Sequence, residues 1–278
     1  MVRIALAQTE CVLGEPEANL KKAEDLIEQA AAAGAELVVF PELSLHGYAL
    51  GRIPGDRSLR ADDPRLTALP REGTDVLIGF HEQAPVRRYN AAAYLTAEGI
   101  LHVHRKLYPV NYLIWEERKH ASPGQSLRAF DTRIGRAATL ICNDAWQSPL
   151  PWLVAQDGAE VLLIPTSSAT EFGLESLDTI DYWNELLRFI ARMQQCWVVF
   201  CNRVGTDAGA RFWGGSRILD PQGHVVAEAP LWEPTLLMAE IDVAAAGRRR
   251  RELPLLADAR LGLLAHELAR LIAADGDV

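Results

Sequence analysis

Ala137-Ala138-Thr139-Leu140-Ile141-Cys142-Asn143-Asp144-Ala145-Trp146 is the stretch on which the reading of this chain turns. A short apolar run of this kind reads as a strand buried on both faces. It ends at a thiol, and a polar and aromatic loop begins. Two other runs end the same way. Leu37-Val38-Val39-Phe40-Pro41 leads into Glu42, and Ile100-Leu101-His102-Val103-His104-Arg105 leads into Lys106. Ligand sites in open α/β sheets lie outside the carboxyl ends of the strands. A thiol, a carboxylate and an amine at three strand exits therefore point to one site.

Working outward, the pattern alternates strands with helices. Val2 to Ala7 reads as a strand. Glu17 to Ala33 reads as a helix, with Leu20, Ala23, Leu26, Ile27 and Ala30 on one face and Gly34 as its stop. Val76 to Phe80 is another buried strand. Ala91 to Thr96 and Ile100 to Arg105 flank Ala97-Glu98-Gly99 as a hairpin. The second half repeats the order. Ala137 to Ile141 is a strand, Pro149 to Gln156 a short helix and Val161 to Ile164 a strand. Asp181 to Gln195 is a helix with Leu186, Leu187, Ile190 and Met193 inward, and Trp197 to Cys201 is a strand. Gly215 to Leu219 and His224 to Ala229 then form a hairpin around Asp220-Pro221-Gln222-Gly223. Two such halves predict two mixed sheets with helices outside, in a single domain over 1–278. A helical C-terminal extension is expected from about Leu255.

Forty-nine per cent hydrophobic residues allow a substantial core. The net charge of −9 repels nucleic acid and anionic membrane, so neither is expected as a partner. Arg248-Arg249-Arg250-Arg251 is the local exception and reads as a solvated surface turn. The four cysteines include no C-x-x-C pair, so no disulfide framework and a cytoplasmic location are expected. The segment Met1 to Gln8 is too short and too soon polar for a signal peptide. No apolar run approaches the roughly 18–20 residues of a membrane span. His102 and His104 share a strand face, but no third ligand accompanies them and the hairpin is expected to face solvent. No metal is predicted.

The three strand-exit residues suit acyl transfer. A cysteine thiol is mostly protonated at neutral pH and needs a cation or a base to become a nucleophile. Lys106 can supply positive charge and can stabilise the oxyanion of a tetrahedral intermediate. Glu42 can take the thiol proton and return it to a leaving amine. The backbone N–H of Asn143, just after the nucleophile, is placed as a second oxyanion donor. No G-x-S-x-G, H-E-x-x-H or phosphate loop is present.

These residues lie in motifs that resemble the nitrilase superfamily, the carbon–nitrogen hydrolases. Phe40-Pro41-Glu42-Leu43 with Gly47-Tyr48 is similar to the family's glutamate motif. Arg105-Lys106-Leu107-Tyr108-Pro109 is similar to its lysine motif, and Ile141-Cys142-Asn143-Asp144 to its nucleophile motif. Gly158 to Pro165, Asn202-Arg203-Val204-Gly205, and Gly214-Gly215-Ser216 followed by Asp220-Pro221-x-Gly223 match further signatures. The resemblance runs from Ile4 to about Arg260. It implies an α/β fold, a four-layer αββα sandwich of two mixed β-sheets flanked by helices. It also implies a Glu-Lys-Cys triad, a thioester resolved by water, no cofactor, and a homodimer or higher homo-oligomer. Trp115-Glu116-Glu117-Arg118 matches a second-glutamate motif and implies an assisting role for Glu117.

True nitrilases typically carry Trp-Glu after the nucleophile, whereas Asn143-Asp144 is more similar to amidases and N-carbamoyl amino acid hydrolases. That implies a small amide or ureido substrate, with water as co-substrate. Two features depart from these patterns, the first from that of carbamoylases and the second from that of the family. Ala145-Trp146-Gln147-Ser148 replaces a basic residue and Pro after the nucleophile motif, and Ala191-Arg192-Met193-Gln194 replaces the family's Ala-x-Glu-Asn. Tyr48, Tyr112, Trp146, Thr166 and Ser167 follow motif strands, where the acyl part of a substrate would rest. The alternatives are a nitrile hydrolase or amide acyltransferase on the same fold, and a non-catalytic binding or scaffold protein.

Overall fold

The computed structural model describes residues 1–112, 115–170 and 179–276. Its strands are β1 Val2–Gln8, β2 Leu37–Val39, β3 Asp75–Gln83, β4 Arg88–Thr96, β5 Gly99–Arg105, β6 Ala129–Thr132, β7 Gly135–Thr139, β8 Val161–Thr166, β9 Ala169–Thr170, β10 Trp197–Asn202, β11 Val204–Asp207, β12 Ala210–Trp213, β13 Arg217–Leu219, β14 Val225–Glu228 and β15 Thr235–Ile241. Its helices are α1 Pro16–Ala32, α2 Pro64–Thr67, α3 Pro149–Gln156, α4 Thr179–Gln194, α5 Ala244–Glu252 and α6 Leu261–Leu271. No helix among the described residues is long and apolar enough to cross a membrane.

Two six-stranded sheets carry the structure, in the orders β15-β1-β2-β3-β4-β5 and β14-β13-β10-β8-β7-β6; a small sheet β11-β12-β9 lies apart. In each large sheet three strands run parallel, β1-β2-β3 and β7-β8-β10. An antiparallel hairpin then extends the last of them, β4-β5 in one sheet and β13-β14 in the other.

The period-2 alternation of the strands decides the layering. Ile4, Leu6, Leu37, Val39 and Leu77 point into a core shared with Ala137, Leu163 and Val199 of the second sheet, whereas Phe200 points away from it, against Trp183 of α4. Ala5, Ala7, Val38, Phe40, Val76 and Ile78 point the other way, onto Leu20, Ala23, Ile27 and Ala30 of α1. Each fully buried aliphatic or aromatic side chain contributes about 1.5–3 kcal/mol, so neither face can be left to water. The first sheet is covered by α1 on one side and by the second sheet on the other. Trp183, Leu187 and Ile190 of α4 and Val154 of α3 close the far side of the second sheet. The result is the expected αββα sandwich. Helix α1 ends as Gly34 predicts. Gly34 sits at φ +78° and its N–H donates to Ala31 O, while Ala35 N–H donates to Ala30 O, a Schellman closure.

Four expectations fail. Met193 is 43% exposed, and the buried face of α4 runs through Trp183, Leu187, Ile190, Ala191 and Gln194 instead. Tyr182, Phe189 and Met193 form a second, solvent-facing apolar stripe that periodicity does not separate from the first. The four-arginine run is not a solvated turn but part of α5. Arg250 reaches inward and donates to the Ala159 carbonyl and, at 3.0 Å, to Cys196 Sγ. The β4–β5 hairpin does not present its histidines to solvent. His102 stacks on Phe130 of the facing sheet, and His104 is buried. The tail is not helical from Leu255, since α6 begins at Leu261. Strand β15 was not foreseen; it returns from the second half to pair antiparallel with β1, with Val2 opposite Ile241.

Candidate active site

Topology brings the three strand exits together. Strand β5 is antiparallel to β4, which is antiparallel to β3, so β5 runs in the direction of β2. Glu42 beyond β2 and Lys106 at the end of β5 therefore project from the same edge. Cys142 enters from the second sheet, beyond β7, and opens a single 3-10 turn over Cys142–Asp144. Its φ of +46° is uncommon for a non-glycine residue, as is the +49° of Leu43 next to Glu42. Both chains turn sharply, so the side chains lie at the bend rather than along the strand. Strained backbone of this kind concentrates at functional sites.

The polar groups form one buried cluster. Lys106 Nζ donates to Glu42 Oε1 at 2.7 Å and to Glu117 Oε2 at 2.7 Å, leaving one of its three N–H groups uncommitted among the described residues. Glu42 Oε2 accepts the Ser167 backbone N–H at 2.9 Å, and Ser167 Oγ donates to the Glu42 carbonyl at 2.8 Å. Glu117 Oε2 also accepts Tyr48 OH at 3.0 Å and Val110 N–H at 2.8 Å. Asn90 Nδ2 lies between the carboxylates, 2.7 Å from Glu42 Oε1 and 2.6 Å from Glu117 Oε1. Glu42 and Lys106 are each 1% exposed, so water cannot stand in for any of these partners.

Burial raises the Glu42 pKa above its ordinary 4.5; Lys106 pulls it down, and the neighbouring Glu117 charge adds to the rise. Burial works against the Lys106 charge, yet Glu117 and Glu42 together hold its pKa well above normal. Burial pushes the Cys142 thiol well up, Glu42 reinforces that and Lys106 opposes it. The sequence suggested that Lys106 would activate the thiol by its charge. Two carboxylates offset that charge, so the resting sulfur keeps its proton and needs a base. The Ser167 N–H faces this sulfur as well as Glu42.

Asp144 fixes the two loops relative to each other. Its Oδ1 accepts Leu107 N–H and Tyr108 N–H, both at 2.9 Å, from the residues just beyond Lys106. Its Oδ2 accepts Ile141 N–H at 3.1 Å, just before Cys142, and faces His104 Nε2 at 2.9 Å. The carboxylate is fully buried and accepts, so His104 Nε2 is the donor of this pair. Asp144→Ala is expected to lower the unfolding free energy by about 3 kcal/mol, because it strands several buried donors at once. A urea titration reads this directly.

The other predicted contacts are placed unevenly. Tyr48 is buried and binds Glu117; its hydroxyl pKa is pushed well up by burial and then by that carboxylate. Thr166 is fully buried, its hydroxyl donating to Ile164 O at 3.3 Å. Ser167 contributes its backbone and hydroxyl to Glu42. Asn143 Nδ2 donates to Tyr108 O at 2.9 Å, while its own N–H, in the first turn of a 3-10 helix, has no intrahelical acceptor. Trp146 stacks on Tyr182, with ring centroids 4.6 Å apart, and packs edge-on against Trp183. Tyr112 is 50% exposed, and its hydroxyl pKa is raised by partial burial and by Cys142. A cavity of about 670 Å³ reaches Tyr48 and Glu117 and is lined further by Trp115, Arg52, Lys119 and Phe212.

Sequence reading did not find Asn90, the double role of the Ser167 N–H, or two glycines that set the backbone spacing. A Cβ at Gly79 would collide with the Pro41 carbonyl and Leu43 nitrogen beside Glu42. One at Gly124 would collide with the Arg105 carbonyl before Lys106. Asn90 did leave a trace. It is the lone polar residue in Tyr89-Asn90-Ala91-Ala92-Ala93-Tyr94-Leu95, an otherwise apolar or aromatic run.

Comparison with known proteins bears on the family and the fold. The family model described as carbon-nitrogen hydrolase matches residues 3–251. A glutamine-dependent NAD(+) synthetase of Thermotoga maritima is 32% identical over 252 residues, 87% of this chain and 42% of that protein, so the chain spans under half of its length. A citrullinase of Francisella tularensis is 29% identical over 265 residues, 90% of this chain and 93% of the relative. The crystal structure of a carbon-nitrogen hydrolase from Helicobacter pylori G27 superposes with a TM-score of 0.83, covering 96% of this chain and 98% of that one; at 21% identity this speaks to the fold. Family model, fold and motif order agree: the chain belongs to the carbon–nitrogen hydrolase family of the nitrilase superfamily.

Proposed function

We propose that this chain hydrolyses the C–N bond of a small amide or N-carbamoyl compound through a thioester on Cys142. The observation that carries the reading is the buried thiol at the bend after β7, beside a carboxylate pair bridged by one lysine. Glu42 accepts the Sγ proton as sulfur attacks the substrate carbonyl carbon. The developing oxyanion takes the free N–H of Lys106 and the Asn143 backbone N–H. The tetrahedral adduct collapses, Glu42 returns the proton to the leaving nitrogen, and ammonia departs. Water then attacks the thioester with Glu42 again as base, and the thiol is regenerated with the acid. A ureido substrate gives a carbamic acid that loses carbon dioxide. Glu117, held by four donors, keeps Lys106 oriented and charged.

The amide or ureido preference is supported by Asn143-Asp144 in place of Trp-Glu and by the similarity to a citrullinase. It is a family pattern rather than a contact, since the Asp144 oxygens point into the fold. A panel of primary amides, ureido acids and matched nitriles, read by ammonia release, tests it. An amide or ureido compound should turn over about 100-fold or more faster than its nitrile, a discrimination of the size expected from transition-state contacts alone. A faster nitrile reverses the assignment.

The pH profile carries a sign. Because the Glu42 pKa is raised, its proton stays on to a higher pH than on an exposed glutamate. The acid limb of kcat/KM is therefore expected above pH 4.5, with activity lost as the pH falls through it. A limb below 4.5 in a pH–rate series contradicts Glu42 as the base.

A further inference from the structure

We propose that Asn90 is a positioning residue that holds Glu42 and Glu117 ionised side by side by giving one amide N–H to each. This deepens the reading of Glu42 as the base and rests on it.

The amide orientation follows from its neighbours. Both carboxylates only accept, so the NH₂ end must face them. Asn90 Oδ1 is then left buried, with no donor among the described residues. An unmatched buried acceptor is costly, and the fold carries that cost so that both N–H groups meet a carboxylate.

The charge balance shows why an amide stands here. Glu42, Glu117 and Lys106 sum to one negative charge. Two carboxylates sharing a site repel, and one of them tends to take a proton. A second cation at position 90 would hold both ionised but would leave Glu42 a poor base. An apolar residue would leave a carboxylate short of donors. A neutral group with two donors supports both charges and adds none. The other groups facing the pair are the Lys106 ammonium on both, the Ser167 N–H and Cys142 thiol beside Glu42, and the Tyr48 hydroxyl and Val110 N–H on Glu117. The main-chain carbonyl of Asn90 accepts the Lys106 backbone N–H at 2.8 Å, so one residue touches all three members of the cluster.

The test needs no substrate. Protein labelled with δ-¹³C glutamate is titrated by NMR, with Glu42 and Glu117 assigned through Glu42→Gln and Glu117→Gln. In Asn90→Ala the apparent midpoint of the carboxyl pair should rise by about one to two pH units, the shift for losing a hydrogen bond to an ionised group. Asn90→Ser keeps one donor and should shift by less. If the Ala variant does not fold, any upward shift in Asn90→Ser supports the proposal. An unmoved midpoint in a folded variant overturns it, because a merely structural role would lower activity or stability without moving the titration. The acid limb of kcat/KM should follow the same midpoint. If the midpoint moves but the wild type hydrolyses no amide or ureido compound, the hydrolase reading fails and the role of Asn90 stands. If hydrolysis is intact and the midpoint is fixed, the reverse holds.

Discussion

Cys142→Ala is expected to remove turnover, lowering kcat by about 10⁶-fold, as deleting the nucleophile does in other acyl-transfer sites. The reason is local. With the thiol gone, Glu42, Lys106 and the Asn143 N–H remain, but nothing in the site can form the thioester. Cys196, just before β10, and Cys201, within it, are fully buried, and burial pushes their thiols up, that of Cys196 to about 11. Neither can substitute. The truncated side chain leaves the Glu42–Lys106–Glu117 bonds in place, so the unfolding midpoint should stay near that of the wild type. Steady-state assay and thermal unfolding of the same sample separate the two effects. A folded variant with more than about one per cent of wild-type kcat contradicts a cysteine nucleophile.

Lys106→Met is expected to damage stability as much as chemistry. Among the described residues the lysine is the only cation bonded to the two carboxylates, at 2.7 Å from each, and all three side chains are almost fully buried. Removing it leaves two uncompensated negative charges and should cost about 3–5 kcal/mol in chemical denaturation. The pH dependence has a definite sign. The Glu42 pKa is already raised, and without Lys106, which pulls it down, it rises further, so the native state binds more protons. Stability should then be highest at low pH and fall as the pH rises through the folded values. Adding Glu117→Gln removes one of the repelling charges and should recover part of the loss, a coupling that a double-mutant cycle measures. A variant as stable as the wild type near neutral pH would mean that the cluster is not ionised as described.

The site was legible where one residue sits at the end of one strand. Glu42, Lys106 and Cys142 each close a run whose pattern is local, and the direction of the strands brings the exits together. The two-sheet architecture was legible for the same reason, since continuous apolar runs demand cover on both faces. What stayed hidden depends on approach between distant segments. Asn90 is 48 residues from Glu42 in sequence and meets it only through the β3–β4–β5 meander. Asp144 was read as a marker of substrate class, but its four bonds tie the Lys106 and Cys142 loops together from inside. The face of α4 was misplaced because Met193 and Phe189 are as apolar as Leu187 and Ile190, and only docking chooses between the stripes. Strand β15 pairs with β1 across more than 200 residues, a partner that no local period announces.

The proposed reaction passes through a covalent acyl–Cys142 intermediate. Intact-mass spectrometry of rapidly quenched enzyme, across the amide and ureido panel and with peptide mapping, tests it most directly. The expected result is an added mass equal to substrate minus ammonia, mapped to Cys142, present in the wild type and absent in Cys142→Ala. Ammonia release at full rate with no adduct on Cys142, or turnover that survives in Cys142→Ala, would contradict it.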